Sequence, residues 1–411
     1  MTASKALLLL LRLARSLAAR VMLGAVVALA VAFLSPLVGP LIPESWAERF
    51  GPDTVVPILT ILATTMLTVT TFSLSVMVQA FQSAASQATP RAYRLHLADT
   101  TTQTVLATFT GAFLYALTAL VMFRTGFYSD AVSVVILGVT VLVIGAIVLA
   151  ILRWIDHLST LGSMDNTLDI VEQHARDPLN RAQAQPALGG LPLAPDAQIP
   201  NSARPLPAPQ SGYVQFVDMR SLHERLAAAD ARLTLSAAPG QHVIAGAPLG
   251  WLLGDGAEPD GLSGCFTIGK TRTAEQDARF GIVVLSEIAL RALSPGINDP
   301  GTAIDVSHRV TRLLAGIEAP GTTPPDYPRI EVPVVAAPDL IEDGYHPLIR
   351  AGAAHPEVIG VVLDSLATLE ASDWPELAQA ARQAQGYALR HAKSALTVAD
   401  DRDALARKYG G

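Results

Sequence analysis

Four long apolar runs near the N-terminus constrain this 411-residue chain more than any other feature. Each run is about as long as a helix that crosses the hydrocarbon core of a bilayer, and none contains Asp, Glu, Lys, Arg or His. The runs cover residues 21–42, 54–80, 104–123 and 131–152. The sequence therefore predicts a membrane protein with a four-helix transmembrane domain over residues 1–160, in contact with the lipid bilayer. We interpret the first run as a retained span rather than a cleaved signal peptide.

Basic residues around the runs predict the orientation of the protein. Short cytoplasmic segments carry an excess of Lys and Arg. Four basic residues precede the first run, and Arg91, Arg94 and Arg153 lie on the same predicted side. We therefore expect a multi-pass protein of the bacterial inner (cytoplasmic) membrane with both termini in the cytoplasm. The single cysteine, Cys265, then lies in a reducing compartment and forms no disulfide.

Charge is distributed unevenly and excludes one class of partner. Residues 1–160 hold 9 basic and 6 acidic groups, whereas the rest of the chain holds 20 basic and 30 acidic groups. Affinity for nucleic acid depends on neutralising phosphates with Lys and Arg, so we expect no nucleic-acid partner. The apolar runs also lack the ionisable residues that proton-coupled transporters keep inside the membrane.

The pattern after the fourth run predicts the organisation of the C-terminal half. Helical periodicity continues over residues 161–177 and is predicted to end at Asp177–Pro178. The Pro- and Ala-rich stretch 178–210 is typical of a linker. A cytosolic α+β domain follows over residues 211–411.

Within that domain, we predict a small β module over residues 211–268 and a mainly helical part over 273–411. Strands are expected at 213–218, 232–236, 242–244, 249–252 and 329–335, and a short helix at 222–229. Longer helices are predicted at 273–293 and 300–317, with three or four more at the end of the chain.

A stripe of hydroxyl and amide side chains follows one side of the second apolar run. Its members recur every three or four residues, which places them on one face of a helix. One interpretation is the wall of a conduction path; the other is packing between membrane helices, where Ser and Thr are common. The stripe comprises Thr60, Thr64, Thr68, Thr71, Ser75 and Gln79, and it continues to Gln82 and Ser86.

Two long segments resemble a known bacterial family. They are TVTTFSLSVMVQAFQSAASQATPR, which ends at Arg91, and RTAEQDARFGIVVLSEIALRALSPGINDP, from Arg272 to Pro300. They are similar to predicted membrane proteins catalogued as domain of unknown function 2254, and the resemblance covers nearly the whole chain. It implies four spans and a cytoplasmic domain, but no reaction. The family pattern matches Gly269, Arg272, Thr273, Gln276 and Asp277.

The segment GCFTIGKT satisfies the G-x-x-x-x-G-K-[ST] pattern of a phosphate-binding loop, through Gly264, Gly269, Lys270 and Thr271. In such a loop, a buried strand enters the first Gly and the helix begins at Lys-Thr. Here a polar turn lies upstream, and Thr273 with Gln276 forms a capping-box pattern that predicts a helix start after Thr273. Nucleotide binding is therefore only an alternative hypothesis.

Polar residues around the next predicted helix form a candidate pocket for a small anionic ligand. One interpretation is a polar pocket covered by the turn that follows this helix. The other is a structural ion pair between Glu287 and Arg291, which lie four residues apart on one helix face, with Asp277 in solvent near the helix start. Asp299 and Pro300 have the types expected at a helix N-terminus, which can attract an anion. The candidate residues are Arg272, Asp277, Glu287, Arg291, Asn298 and Asp299.

Motifs for catalysis are absent from the sequence, so we expect no enzymatic activity, no cofactor and no metal site. The leading functional hypothesis is a homo-oligomeric passive channel or transport-like assembly that its cytosolic domain regulates. The alternatives are a membrane-anchored sensor or interaction protein without transport, and nucleotide binding through GCFTIGKT.

Overall fold

The computed structural model of the chain describes residues 17–87, 89–92, 100–160, 162–194, 197–254, 256, 259–321 and 324–409. These residues divide into two compact units. The N-terminal unit comprises residues 17–86 and 100–166, and the C-terminal unit comprises residues 87, 89–92 and 167–409. Each unit has its own hydrophobic core.

The N-terminal unit is entirely helical in its described part. Its helices are α1 Leu17–Leu34, α2 Glu44–Arg49, α3 Pro52–Gln87, α4 Thr100–Arg124 and α5 Asp130–Thr160. Among the described residues, four stretches are long and apolar enough to cross a membrane: Ala18–Leu37, Pro52–Gln82, Thr101–Arg124 and Asp130–Leu158. Each overlaps one of the four predicted runs, so the prediction of four apolar helices is confirmed.

Close helix approach and buried hydroxyl groups hold this unit together. A Cβ on Gly24 of α1 would lie 3.0 Å from the Ala107 carbonyl oxygen of α4, so the small residue permits the contact. The buried Tyr115 hydroxyl donates to the Ile136 carbonyl oxygen at 3.0 Å, and the Tyr128 hydroxyl donates to that of Ala32 at 2.6 Å. Buried polar groups need such partners in an apolar interior.

The C-terminal unit begins with a helix that packs into its core. Helix α6, Met164–Ala184, follows a break at Gly162, whose φ of +82° favours glycine. A Cβ on Gly281 would lie 2.3 Å from the Ala175 Cβ, so α6 closely contacts the later helix α9, Phe280–Ala292, at this point. The core face of α6 contains Leu168, Val171, Ala175, Pro178 and Leu179.

The described residues of this unit also form two β-sheets and eight further α-helices. One sheet has the order β1-β8-β4-β6-β2, with β8 parallel to both of its neighbours, and the other has the antiparallel order β5-β3-β7. The strands are β1 Gly190–Leu193, β2 Arg204–Pro207, β3 Gly212–Val217, β4 Arg232–Leu235, β5 His242–Val243, β6 Pro248–Leu253, β7 Phe266–Gly269 and β8 Tyr327–Pro333. The helices are α7 Met219–Ala228, α8 Pro259–Ser263, α9 Phe280–Ala292, α10 Pro300–Ala315, α11 Ala337–Gly352, α12 Pro356–Glu370, α13 Pro375–Ala395 and α14 Ala399–Tyr409.

The predicted linker over residues 178–210 is wrong. Helix α6 continues through Asp177–Pro178 to Ala184, and β1 and β2 are strands of the five-stranded sheet. Pro178 and Leu179 are buried in the core, and this burial offsets the cost of a proline within a helix, about 3 kcal/mol. Both strands lie at sheet edges, where prolines are tolerated because one side of the strand needs no backbone donor.

The predicted helix start after Thr273 is also wrong, because α9 begins only at Phe280. The Gln276 side chain does not close a capping box. Its Oε1 accepts a hydrogen bond from the Val217 amide at 2.7 Å, and its Nε2 donates to the Val217 carbonyl oxygen at 3.1 Å. Tertiary hydrogen bonds therefore hold this segment in an irregular conformation beside β3.

Candidate functional site

A cavity of about 340 Å³ lies within the C-terminal unit. Its wall is formed by the end of α6, the turn 238–241, the segment 272–279, the end of β8 and the start of α11. Most of the lining is apolar, including Leu179, Leu188, Val334 and Trp374. A cavity of this size and composition, with a few converging polar groups, is typical of a small-molecule site.

The segment 272–279 contains a buried ion pair between Arg272 and Asp277. The Arg272 Nε donates to Asp277 Oδ2 at 2.5 Å and its Nη2 donates to Oδ1 at 3.1 Å. The Asp277 side chain is only 3 % exposed, and its Oδ1 also accepts from the Arg279 amide at 3.1 Å. The carboxylate is therefore fully engaged, and the interpretation of Asp277 as a solvated residue is wrong.

Gly240 allows the turn 238–241 to approach this ion pair. Its φ of +91° favours glycine, and an added Cβ would lie 2.1 Å from Asp277 Oδ2. A side chain at this position would displace the carboxylate. The sequence Pro239–Gly240 was recognisable as a turn, but its contact with Asp277 is visible only in the fold.

Arg279 is bound by two carboxylates of α11. Its Nε and Nη2 donate to Asp343 at 2.6 and 3.0 Å, and its Nη1 donates to Asp339 Oδ2 at 2.7 Å. The hydrogen bonds that Arg279 donates to Asp343 raise the pKa of Arg279, against the lowering caused by partial burial. The sequence pattern did not single out this residue, because its partners lie about 60 residues later in the chain.

Two consecutive residues of the cavity wall adopt a left-handed backbone. Ala187 and Leu188, between α6 and β1, have φ values of 53° and 56°. The left-handed conformation costs a non-glycine residue roughly 1–2 kcal/mol. Such conformations persist where the surrounding fold enforces them and are enriched at functional sites.

The other candidate pocket residues do not line this cavity. Of the six, only Arg272 and Asp277 do. Glu287 forms an ion pair with Arg91, and no ion pair joins it to Arg291 in the described part of the chain, so the predicted pairing within α9 is wrong.

Asp299 caps α10, as predicted from its type. Its Oδ2 accepts a hydrogen bond from the Thr302 hydroxyl at 2.6 Å, and its Oδ1 accepts one from the Thr302 amide at 3.1 Å. These hydrogen bonds lower the pKa of the Asp299 carboxyl. Asn298 precedes it with a φ of 50°.

The GCFTIGKT segment does not have the geometry of a phosphate loop. Strand β7 occupies residues Phe266–Gly269, inside the motif, and Lys270 and Thr271 are followed by the irregular segment rather than by a helix. An added Cβ on Gly269 would lie 2.3 Å from Gln215 Nε2, which donates to the Thr271 carbonyl oxygen at 2.7 Å. The absence of a side chain at Gly269 therefore leaves room for the Gln215 side chain of β3.

The polar stripe of α3 lies on the exposed side of its helix. Thr68 Oγ1 donates to the Thr64 carbonyl oxygen at 3.1 Å, and Ser75 Oγ donates to that of Thr71 at 2.9 Å. The buried face, with Leu59, Leu62, Met66 and Met77, lies roughly opposite, since each residue advances the helix by about 100°. The stripe residues Thr60, Thr64, Thr68, Thr71, Ser75 and Gln79 are all exposed in the single chain. Packing of the stripe within one chain is therefore wrong, whereas packing between copies and a pore wall both stay open.

No group of three or more His, Cys, Asp or Glu side chains in the described ranges is placed to hold a metal ion. Four of the charged side chains that line the cavity, those of Arg272, Asp277, Arg279 and Asp339, are instead joined in ion pairs. This arrangement can bind and orient a small molecule by shape and charge.

Comparison with known proteins adds family membership to these observations. Two similar proteins, an uncharacterized protein of Mycobacterium bovis and one of Mycobacterium tuberculosis, are 29% identical over 331 residues, which is 76% of this chain. The matched region spans 63% of the length of these relatives. No solved structure matches the chain. The model of a family described as predicted membrane protein (DUF2254) matches residues 14–368. With its four apolar helices, the chain belongs to the DUF2254 family of predicted membrane proteins.

Proposed function

We propose that this protein forms a passive channel or transport-like assembly of several copies in the cytoplasmic membrane, regulated by its C-terminal domain in the cytosol. The observation that carries the proposal is the position of the stripe on α3, opposite the face that the helix buries in its own chain. Exposed apolar residues, including Leu67 and Phe72, lie on either side of the stripe. Such a helix fits an assembly in which the flanks contact lipid or neighbouring copies and the stripe faces water.

The composition of the spans favours passive conduction. The four apolar runs contain no Asp, Glu, Lys, Arg or His, the residues that usually carry a transported proton inside a membrane. Hydroxyl and amide groups can replace part of a solute's hydration without binding it tightly. The proposal assigns no enzymatic activity to the chain.

Chain connectivity supports regulation by the C-terminal domain. Residues 89–92 follow the stripe helix closely and belong to the C-terminal unit. Ala92 is fully buried there, and Arg91 forms an ion pair with Glu287 of α9. The segment that contacts α9 through this ion pair is thus continuous in sequence with the end of α3.

Flux across liposomes tests conduction directly. We expect the purified full-length protein to release a small-ion or small-solute marker from liposomes, and Thr68→Trp to reduce this release by narrowing the path. Leu67→Trp, an exposed neighbour beside the stripe, is the matched control and should leave release unchanged. Liposomes that stay sealed at every tested voltage, membrane tension and ligand condition would contradict the proposal.

Cysteine accessibility tests which surface of α3 faces water. Thiols react as thiolates, which form in water and not in lipid. We expect a membrane-impermeant thiol reagent to modify Thr64→Cys, Thr68→Cys and Thr71→Cys but not the control Leu67→Cys. The native Cys265 is 1 % exposed, so its background reaction should be low. Equal protection of the stripe and control positions would indicate packing between copies instead of a pore.

A membrane-anchored sensor without transport is the second candidate, and the cavity of the C-terminal unit favours it. This function requires ligand binding but no aqueous path. Binding at the cavity together with sealed liposomes and a protected stripe would support the sensor over the channel.

A further inference from the structure

The cavity of the C-terminal unit has an acidic lining, although two arginines lie in its wall. Arg272 is bound by Asp277, and Arg279 is bound by Asp339 and Asp343. The charged residues that line the cavity are two basic and three acidic, with Asp343 adding a further carboxylate behind Arg279. Both guanidinium groups are therefore already neutralised, and an anion would meet a net negative site.

Glu318 adds a negative charge that takes no part in these ion pairs. It follows α10, is exposed at the cavity, and forms no ion pair with any of the described residues. Asp339 directs one oxygen, Oδ2, to Arg279, and its side chain is 40% exposed. The cavity therefore offers carboxylate acceptors that protein cations do not saturate.

The remaining wall suits an apolar body beside a positive charge. Trp374 lines the cavity and is 6% exposed, and its neighbours in the wall include Ile317, Pro320 and Leu340. An indole attracts a cation as well as apolar groups, because the face of the ring carries partial negative charge. Aromatic and carboxylate groups in one cavity are the combination that recognises organic ammonium ions.

The cavity is also held open by specific features of the fold. Gly240 permits the close contact of the turn 238–241 with Asp277, and Ala187 and Leu188, also in the cavity wall, have a left-handed backbone. Both features belong to the fold itself and shape the wall of the cavity.

We propose that this cavity binds a small organic cation: an amine with an apolar, preferably aromatic, body. A cationic ligand takes the place of the predicted anionic one, because Arg272, one of the arginines in that prediction, is engaged by Asp277, and the charged lining of the cavity is mostly acidic. This assignment does not depend on conduction, since the site lies entirely within the C-terminal unit.

Three aromatic probes of similar size test the charge preference. Benzylamine is cationic at neutral pH, benzyl alcohol is neutral and benzoate is anionic. Saturation-transfer NMR titrations on the full-length protein in detergent report binding without any flux assay. We expect saturable binding of benzylamine at millimolar concentrations, weaker binding of benzyl alcohol and the weakest binding of benzoate.

Two variants locate the binding. Glu318→Gln should weaken benzylamine binding about threefold to tenfold, the effect of one partly screened charge, and should leave benzyl alcohol binding unchanged. Its matched control is Glu224→Gln, an exposed residue of α7 that does not line the cavity. Val334→Phe should fill the cavity and abolish binding, whereas Val398→Phe, exposed outside the cavity, should not.

Retained thermal stability would show that the Val334→Phe protein is folded. If that variant does not fold, Glu318→Gln tests the site independently. Benzoate binding as tight as benzylamine binding would overturn the proposal. So would the absence of saturable benzylamine binding, or benzylamine binding that neither Glu318→Gln nor Val334→Phe reduces. Liposomes without flux would leave this binding result standing and would contradict only the channel.

Discussion

The ion pair between Arg272 and Asp277 is largely buried and lies beside the cavity. Asp277 is 3% exposed and Arg272 is 21% exposed. Removing one partner of a buried pair strands the other charge in a poorly solvated place, which costs more than the pair itself contributes. The contact joins the irregular segment to the turn at Gly240 and so shapes one wall of the cavity.

Asp277→Asn should therefore lower the free energy of unfolding by about 3 kcal/mol, near the lower end for a buried pair because Arg272 keeps partial access to water. Asp230→Asn is the matched control, because Asp230 is 93% exposed in its pair with Arg329 and Asn accepts its φ of 45°. The control should cost about 0.5 kcal/mol or less. Chemical denaturation in detergent, followed by near-UV circular dichroism, measures both. Equal losses would show that burial of the pair is unimportant.

Gly240→Ala should destabilise the protein more than Gly246→Ala does. Both glycines have positive φ, at 91° and 82°, and each substitution has a backbone cost of about 1 kcal/mol. Only at Gly240 does the new Cβ overlap Asp277 Oδ2, whereas nothing lies within 4 Å at Gly246. The difference between the losses of stability in Gly240→Ala and Gly246→Ala measures the cost of the overlap with Asp277. Thermal denaturation midpoints suffice to detect this difference. Similar midpoints would contradict the described contact.

His346 should make stability depend on pH. Burial lowers its pKa below the ordinary 6.5, and Arg350 and His391 lower it further, against the opposite effect of Glu342. The unfolded chain then binds the proton at a higher pH than the folded chain. The stabilisation is complete above pH 6.5 and is lost as the pH falls through the lower folded value.

We expect denaturation midpoints of the parent protein to fall between about pH 7.5 and pH 5. His346→Phe, which keeps a ring against Tyr387, should show a smaller fall. The decisive quantity is the difference between the two proteins at each pH, because the other histidines contribute to both. Parallel curves would mean that His346 does not carry the effect.

At the scale of elements, α6 is joined to α10 by a cluster of charged side chains. Glu172 of α6 accepts hydrogen bonds from Arg309 at 3.2 Å and from Arg312 at 2.8 Å. Arg309 is only 6% exposed and also contacts Asp169 and Asp305. The cluster fixes the helix that follows α5 to the body of the C-terminal unit.

Glu172→Ala should lower the free energy of unfolding by about 2–3 kcal/mol, because Arg309 stays buried with only part of its partners. Arg176→Ala removes a 51% exposed partner of the same carboxylate and should cost about 0.5 kcal/mol or less. Denaturation of both variants, with hydrogen exchange of α6 as a local readout, separates the two effects. If Arg176→Ala lowered the free energy of unfolding as much as Glu172→Ala does, the stabilisation would come from the exposed pair between Arg176 and Glu172 instead.

At the scale of the whole molecule, the ion pair between Arg91 and Glu287 lies within the C-terminal unit, and Arg91 follows the stripe helix α3 by a few residues in sequence. Under the proposed function, Arg91→Glu should alter flux through liposomes, and the double exchange Arg91→Glu with Glu287→Arg should restore it. The pair is partly exposed, so each single change should cost about 1 kcal/mol or less in stability. If Arg91→Glu left the flux unchanged, the ion pair between Arg91 and Glu287 would take no part in regulation.

How much the sequence predicts depends on how local the cause is. The four apolar helices and strands such as β3 and β4 follow from hydrophobic runs and alternation within a few residues. Asp299 was recognisable as a helix cap because its partner, Thr302, lies three residues away. The start of α9 was misplaced because Gln276 is held by Val217, which lies 59 residues earlier.

By itself, the sequence determined the four apolar helices, the membrane protein family and the order of most elements. The tertiary structure alone decided that the Pro-rich segment supplies edge strands, that the stripe faces away from its own chain, and that Arg272 and Arg279 are neutralised beside a cavity. The physical reason is range. Hydrophobic periodicity and capping act between neighbours in the chain, whereas burial, ion pairing and close backbone approach depend on which distant residues the fold brings together.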